Sequence, residues 1–196
     1  KLHGSINWYQ MVGEGGVFRG ATKEAGSKRV IHPSHLKYEE SRRMPYLAMI
    51  DRLRAFLRQT SSMLVVCGYS FRDEHLNEVI IQGLQNTQSA IAFALLFDPI
   101  EKYPQAVKLA CERSNLSILA KDGAIISRRK LLWNRKEKEA VSTDNTQWVK
   151  WIAADADNEK DMLKAEFQLG NFATFGQFLR EMIGHINQSS RGLNAQ

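Results

Sequence analysis

Four short segments bring reactive or ligand-seeking side chains together. The first is His3-Gly4-Ser5. An imidazole that titrates near neutrality can accept a proton at working pH, and the glycine behind it lets the backbone turn tightly, so His3 is a candidate general base. The same pair also serves as a plain structural turn. The second segment is Gly68-Tyr69-Ser70-Phe71-Arg72-Asp73-Glu74-His75-Leu76-Asn77. A glycine closing a strand, then a small hydroxyl residue, then a helix start would offer free N–H groups and a positive dipole end to an anion such as a phosphate. The competing reading is an ordinary strand-to-helix turn capped by Ser70 or Asp73. The acidic pair Asp73-Glu74 argues against a phosphate lying on that first turn and favours capping for Asp73. Third, Asp98 either accepts hydrogen bonds from a ribose or simply starts a turn before Pro99. Fourth, Asp122-Gly123 fits a tight turn or a close backbone approach to a base, the turn being the simpler reading.

Other candidates carry less. His32 and His35 are three apart, but Pro33 blocks a regular helix between them and no third ligand is evident, so no metal site is expected there. Residues 128–139 hold six basic and two acidic side chains and one aromatic, Trp133, which reads as a solvated helix face rather than a nucleic-acid contact. Trp148 and Trp151 read as core or interface anchors.

These segments need elements to position them. Residues 1–8 read as a strand running into a turn, and residues 12–26, with five glycines, as a β-hairpin or mobile loop. Leu47, Ile50, Leu53, Phe56 and Leu57 recur at helical spacing and predict a helix from about Pro45 to Gln59, with Arg52, Arg54 and Arg58 towards water. The apolar runs 63–67, 90–97 and 116–120 predict buried strands, and they alternate with helices carrying the stripe Leu76, Val79, Ile80, Leu84 and, over 104–114, an N-terminal proline. Strand, helix, strand, helix, strand implies an α/β fold with a Rossmann-like, doubly wound parallel sheet, of which these residues form a partial, C-terminal half, and in such sheets ligands sit at the carboxyl ends of the strands. Residues 1–126 would make up that part and residues 127–196 a helical C-terminal extension. Within it Trp148, Trp151 and Ile152 predict an amphipathic helix. Phe172, Phe175, Leu179, Met182, Ile183 and Ile186 predict another, capped by Asn171, whose apolar face must dock on something. Residues 187–196 read as a polar, frayed end.

Composition sets the outer limits. The 196 residues carry 27 Lys+Arg against 21 Asp+Glu, and 43% are hydrophobic, an ordinary globular balance far from that of a disordered chain. The apolar run 90–97 is less than half a bilayer crossing, and no signal-peptide pattern opens the chain, so no membrane association is expected. Two cysteines, Cys67 and Cys111, supply neither a disulfide framework nor a thiolate zinc site, and a cytoplasmic setting follows as the default. Opening on KLHGSINW without an initiator Met, the residues read as the C-terminal part of a longer polypeptide.

Taken together, LHGSINW, PYLAMIDRLRAFL and GYSFRDEHLNEVI resemble the sirtuin-like NAD-hydrolase domains of bacterial anti-phage defence proteins, and NLSILAKDGAII and FATFGQFLREMIG are similar to that family's C-terminal part. The resemblance implies that His3 is the catalytic histidine, that Gly68 and Ser70 contact the ribose and phosphate portion of NAD with Tyr69 in the same motif, that Asp98 meets the adenosine ribose, and that Gly123 lies near adenine. It implies cleavage of the nicotinamide C–N bond through an oxocarbenium-like state, His3 withdrawing a proton from the ribose or from an attacking water, with nicotinamide and ADP-ribose as products. Deacylating sirtuins carry four zinc-binding cysteines after the His-Gly segment. Only Cys67 lies between His3 and Gly68, so no zinc is expected and hydrolysis is favoured over deacylation. The family's Gly-rich NAD-binding turn and catalytic asparagine precede its histidine and have no counterpart in these residues, which alone should bind NAD poorly and not turn it over.

Two other functions compete. One is an NAD- or nucleotide-sensing or oligomeric assembly module that regulates a partner such as a helicase-like motor ATPase without turnover of its own, motivated by the apolar C-terminal helix and the tryptophan pair; a homo-oligomer and a phage-derived trigger are expectations for the protein on either reading. The other is nucleic-acid binding, suggested only by the net charge of +6 and testable by its salt dependence.

Overall fold

The computed structural model of the chain describes residues 4–10, 18–20, 27–30, 46–136, 148–153 and 162–192. It divides into two compact units, Lys1–Gln59 and Thr60–Gln196. In the first, β1 (Gly4–Gln10) lies between β2 (Phe18–Arg19) and β3 (Ser27–Val30), antiparallel to both. The Tyr9 hydroxyl donates to the Gly20 carbonyl at 2.7 Å, and a Cβ on Gly20 would come within 2.9 Å of the Tyr9 ring, so this corner needs its glycine. Helix α1 (Tyr46–Leu57) follows, with Tyr46 and Leu57 buried and Arg52, Arg54 and Arg58 exposed as the stripe predicts.

In the second unit, β4 (Met63–Cys67), α2 (Glu74–Asn86), β5 (Ile91–Leu95), α3 (Pro104–Glu112) and β6 (Leu116–Leu119) alternate as expected, but β4 is an edge strand with Met63 and Val65 exposed and not the buried strand its apolar run predicts. The three strands are parallel and adjacent, each reached through one helix, and β7 (Gly123–Ile126) and β8 (Arg129–Leu132) extend the sheet antiparallel in the order β4-β5-β6-β7-β8. The result is a Rossmann-like α/β sheet, and its parallel strands advance in one direction, forming one wing of such a fold. Parallel strands covered by helices need apolar residues throughout. Ala92, Ala94, Leu116, Ile118, Val79, Ile80, Leu84, Ala106 and Ala110 accordingly form the core. Asn115 ties the layers together, its Nδ2 donating to the carbonyls of Leu84 and Ala90, both at 2.9 Å.

Residues 127–136, 148–153 and 162–167 depart from expectation. Of the basic stretch, Arg129, Lys130, Arg135 and Lys136 lie not on a helix face but on β8 and β9 (Asn134–Lys136), and Trp151 and Ile152 lie on β10 (Val149–Ala153) with Trp148 just before it. With β11 (Met162–Phe167), β9 and β10 form a second antiparallel sheet in the order β10-β11-β9. The three-residue spacing of the tryptophans imitates a helix. The burial period is two: Val149 and Trp151 are half-buried, Lys150 and Ile152 exposed, as on a one-sided strand. Helical character returns only in α4 (Phe172–Gly192), which runs further than the polar end suggested because neither proline nor glycine interrupts it between Gly184 and Gly192. Asn171 Oδ1 accepts from the N–H groups of Ala173 and Thr174, the expected cap. Trp148 anchors α4 edge-on through Phe178, ring centroids 5.4 Å apart. Among the described residues no helix is long and apolar enough to cross a membrane.

Candidate functional site at the carboxyl edge of the parallel sheet

The registers Cys67↔Leu95 and Leu95↔Leu119 end β4, β5 and β6 level with one another, so the segments that follow them open at one edge. That is where open α/β sheets bind ligands. Gly68 leaves β4 in the left-handed region, at φ 73°, which glycine adopts without steric cost. Nothing lies within 4 Å of where its Cβ would be. Ser70, two residues on, is exposed. The backbone at Gly68 is therefore open to solvent, and an exposed hydroxyl residue lies two positions on.

The turn around them is held rigidly. Phe71 also adopts the left-handed region, at φ 58°, with only 1% of its surface exposed. Its ring packs against Tyr69 at a centroid distance of 4.7 Å. Asp73 caps α2, its Oδ1 accepting from Leu76 N–H at 3.2 Å, which resolves the choice of cap in its favour. Behind them Asn77, 5% exposed, donates from Nδ2 to the Phe71 carbonyl at 2.8 Å and presents Oδ1 to the Tyr69 hydroxyl at 2.7 Å. That hydroxyl also lies 2.9 Å from the Asp73 carbonyl. Burial, and then the Asp73 carboxylate, push the Tyr69 phenol well above its ordinary range, so Tyr69 is a hydrogen-bond donor and not an acid at any working pH. Burial also raises the Cys67 thiol, against the opposing effect of a backbone hydrogen bond from Gly68.

The second turn at this edge is built differently. Asp98 is exposed beyond the end of β5, its N–H donating to the Tyr103 hydroxyl at 3.2 Å. A short 3₁₀ turn, Ile100–Lys102, leads into α3, and Asp122 Oδ1 accepts from Ile100 N–H at 2.8 Å. Asp122 thus has a structural partner. Gly123 is buried as the first residue of β7, and a Cβ there would run into the Leu131 carbonyl of β8, so close strand pairing accounts for this glycine where a base was expected to approach. The segment entering α4 packs on the ends of β4 and β5, with the Cys67 thiol 3.8 Å from the Leu169 and Gly170 carbonyls. Phe167 N–H donates to the Lys121 carbonyl at 3.0 Å, Lys121 Nζ pairs with Glu166 at 2.9 Å, and the backbone of Gly170 lies directly on Leu96.

The structure therefore brings Gly68, Tyr69, Ser70 and Asp98 to one edge and draws Gly123 into the sheet; His3, His32 and His35 lie outside the described residues. Sequence reasoning gave Asn77 no role. The signal was present: an amide inside the apolar stripe Leu76, Val79, Ile80 is a buried polar residue that must have partners.

Comparison with known proteins decides the family, because a model described as the SIR2-like domain matches residues 1–119. The chain belongs to the SIR2-like family. No curated protein matches it. The SIR2-like match contains the Gly68–Asn77 turn and Asp98 and ends with β6, before Gly123 and the C-terminal segment that also resembled the family. SIR2-like domains are commonly NAD-dependent enzymes, and the turn suits part of such a ligand. The open space at Gly68 and the exposed Ser70 could hold a ribose or phosphate oxygen, with Asp73 and Glu74 keeping anionic charge off the end of α2. Among the described residues, no group of three or more His, Cys, Asp or Glu side chains is arranged to hold a metal ion.

Proposed function

We propose that the complete protein is an NAD hydrolase, cleaving NAD to nicotinamide and ADP-ribose as an effector of anti-phage defence in the bacterial cytoplasm. The observation that carries this reading is the open, exposed Gly68–Ser70 turn at the carboxyl edge of a sheet that falls within the SIR2-like match. Gly68 and Ser70 hold the ribose and phosphate portion of the substrate beside Tyr69, and Asp98 accepts from the adenosine ribose. His3 takes a proton from the attacking water as the water oxygen bonds to the ribose carbon, and nicotinamide leaves neutral with the electron pair of the broken C–N bond. No zinc takes part. Chromatographic assay of NAD consumption by the complete protein tests the reading: His3→Ala should lower turnover by about 100-fold or more, the usual worth of a general base, with no loss of folding. Full turnover by that variant would overturn it.

A second reading, a homo-oligomeric module that senses nucleotide and regulates a motor ATPase, is favoured by α4. Its Phe172 is 71% exposed, and Leu179, Met182 and Ile183 are exposed with it. Light scattering on the complete protein separates the two: a strict monomer that hydrolyses NAD removes the second reading, and an inactive oligomer removes the first.

A further inference from the structure

The left-handed turn that presents Ser70 is a strained one. A bulky, non-glycine residue at positive φ is an outlier, and such strain persists only where the surroundings over-determine it. Two things hold Phe71 at φ 58°: its ring is buried, and its carbonyl accepts from Asn77 at 2.8 Å. If Phe71 relaxed to negative φ, the peptide planes beside it would rotate and the backbone that presents Ser70 would change course.

Only one side chain suits the place occupied by Asn77. It must donate to the Phe71 carbonyl on one side and accept from the Tyr69 hydroxyl on the other, from within the apolar stripe of α2. An amide does both; an ionised carboxylate of the same shape has no donor, and glutamine is one methylene too long. Because the Tyr69 ring in turn packs against Phe71 at a tilt of 46°, the amide ties residues 69, 71 and 77 into a closed loop around the exposed Ser70.

We infer that Asn77 is a positioning residue for the substrate's ribose and phosphate portion: without touching the substrate, it locks the Gly68–Phe71 turn in the conformation that presents Ser70. This rests on the reading of the turn as part of an NAD site. It assigns the tightness of NAD binding to a buried amide on the far side of the turn.

The test is a double-mutant cycle on NAD turnover by the complete protein, comparing wild type, Ser70→Ala, Asn77→Ala and the pair, with melting temperatures measured alongside. Asn77→Ala should raise KM about tenfold while kcat falls by less than about threefold, the pattern of lost ground-state binding. In the Ser70→Ala background the same substitution should raise KM by about twofold or less, because residues acting through one another do not add. A merely structural asparagine would lower the melting temperature yet raise KM equally in both backgrounds, and that outcome overturns the inference. Should Asn77→Ala fail to fold, Tyr69→Phe runs the same cycle, since it removes one hydroxyl and leaves the packed ring in place; an additive result there also overturns it. If Ser70→Ala alone leaves KM unchanged, the turn is not part of the NAD site, and the failure belongs to that reading and not to Asn77.

Discussion

Two glycines meet the carboxyl edge of the parallel sheet, and a methyl group added to each would have opposite fates. At Gly68, where β4 ends, it would enter open space, with nothing inside 4 Å. At Gly170, whose backbone lies on the end of β5, it would collide with the Leu96 carbonyl and stand 2.8 Å from the Phe97 nitrogen. The same edge is thus open at Gly68, while the Leu169–Gly170 backbone packs on Leu96 at the end of β5 and lies 3.8 Å from the Cys67 thiol at the end of β4. The open positions are the Gly68–Ser70 turn after β4 and the exposed Asp98 after β5. The position at Leu96 has been given over to anchoring α4, with the Lys121–Glu166 pair and the Phe167 N–H to Lys121 hydrogen bond beside it.

Substitution should separate the two glycines. Gly170→Ala forces atoms into a packed backbone, and overpacking of this kind costs about 3 kcal/mol. Gly68→Ala meets no atom and carries only the conformational cost of a side chain at positive φ, about 1–2 kcal/mol. Urea denaturation should therefore rank Gly170→Ala as the more damaging, while NAD turnover by the complete protein should rank Gly68→Ala as the more damaging per unit of stability lost. If both variants lost stability and turnover in the same proportion, open and filled edge would be one structural unit, and the distinction would fail.

The contrast also explains what could be read from the sequence. The strands and helices around both turns were legible, because runs such as Leu116–Leu119 and stripes such as Leu76, Val79, Ile80 and Leu84 reflect burial, and burial leaves a periodic trace. The open turn was legible as a candidate from its Gly and Ser. What packs on Leu96 was not, since Gly170 is far away in sequence from it, and only the fold brings them together. The β7–β8 hairpin was hidden for a different reason. Its two turn residues, Ser127 and Arg128, lie at φ 49° and 67°, a geometry that usually announces itself through Asn-Gly or Asp-Gly. Without that signal the basic residues after it looked helical. On an edge strand such as β8, exposed Arg129 and Lys130 instead discourage pairing with another chain. Asn77 shows the opposite case, a buried amide visible in the pattern but without meaning until its partners were known.

A last difference between the two turns can be read in alkali. Behind the open turn stands a phenol that burial and the Asp73 carboxylate hold protonated beyond its ordinary range. In the unfolded chain that phenol titrates near pH 10. The folded state therefore binds the proton more tightly, so the contribution to stability is complete below about pH 10 and is lost as the pH climbs from there towards the folded value. Melting temperatures of wild type should fall across that alkaline window, and the fall should be shallower in Tyr69→Phe, which starts lower at neutral pH by the roughly 1 kcal/mol of one hydrogen bond. The difference in slope will be modest, because water reaches part of the ring. A slope unchanged by the substitution would assign the alkaline loss to another group, and the network behind Ser70 would then owe its rigidity to Asn77 and the Phe71 ring without help from the hydroxyl.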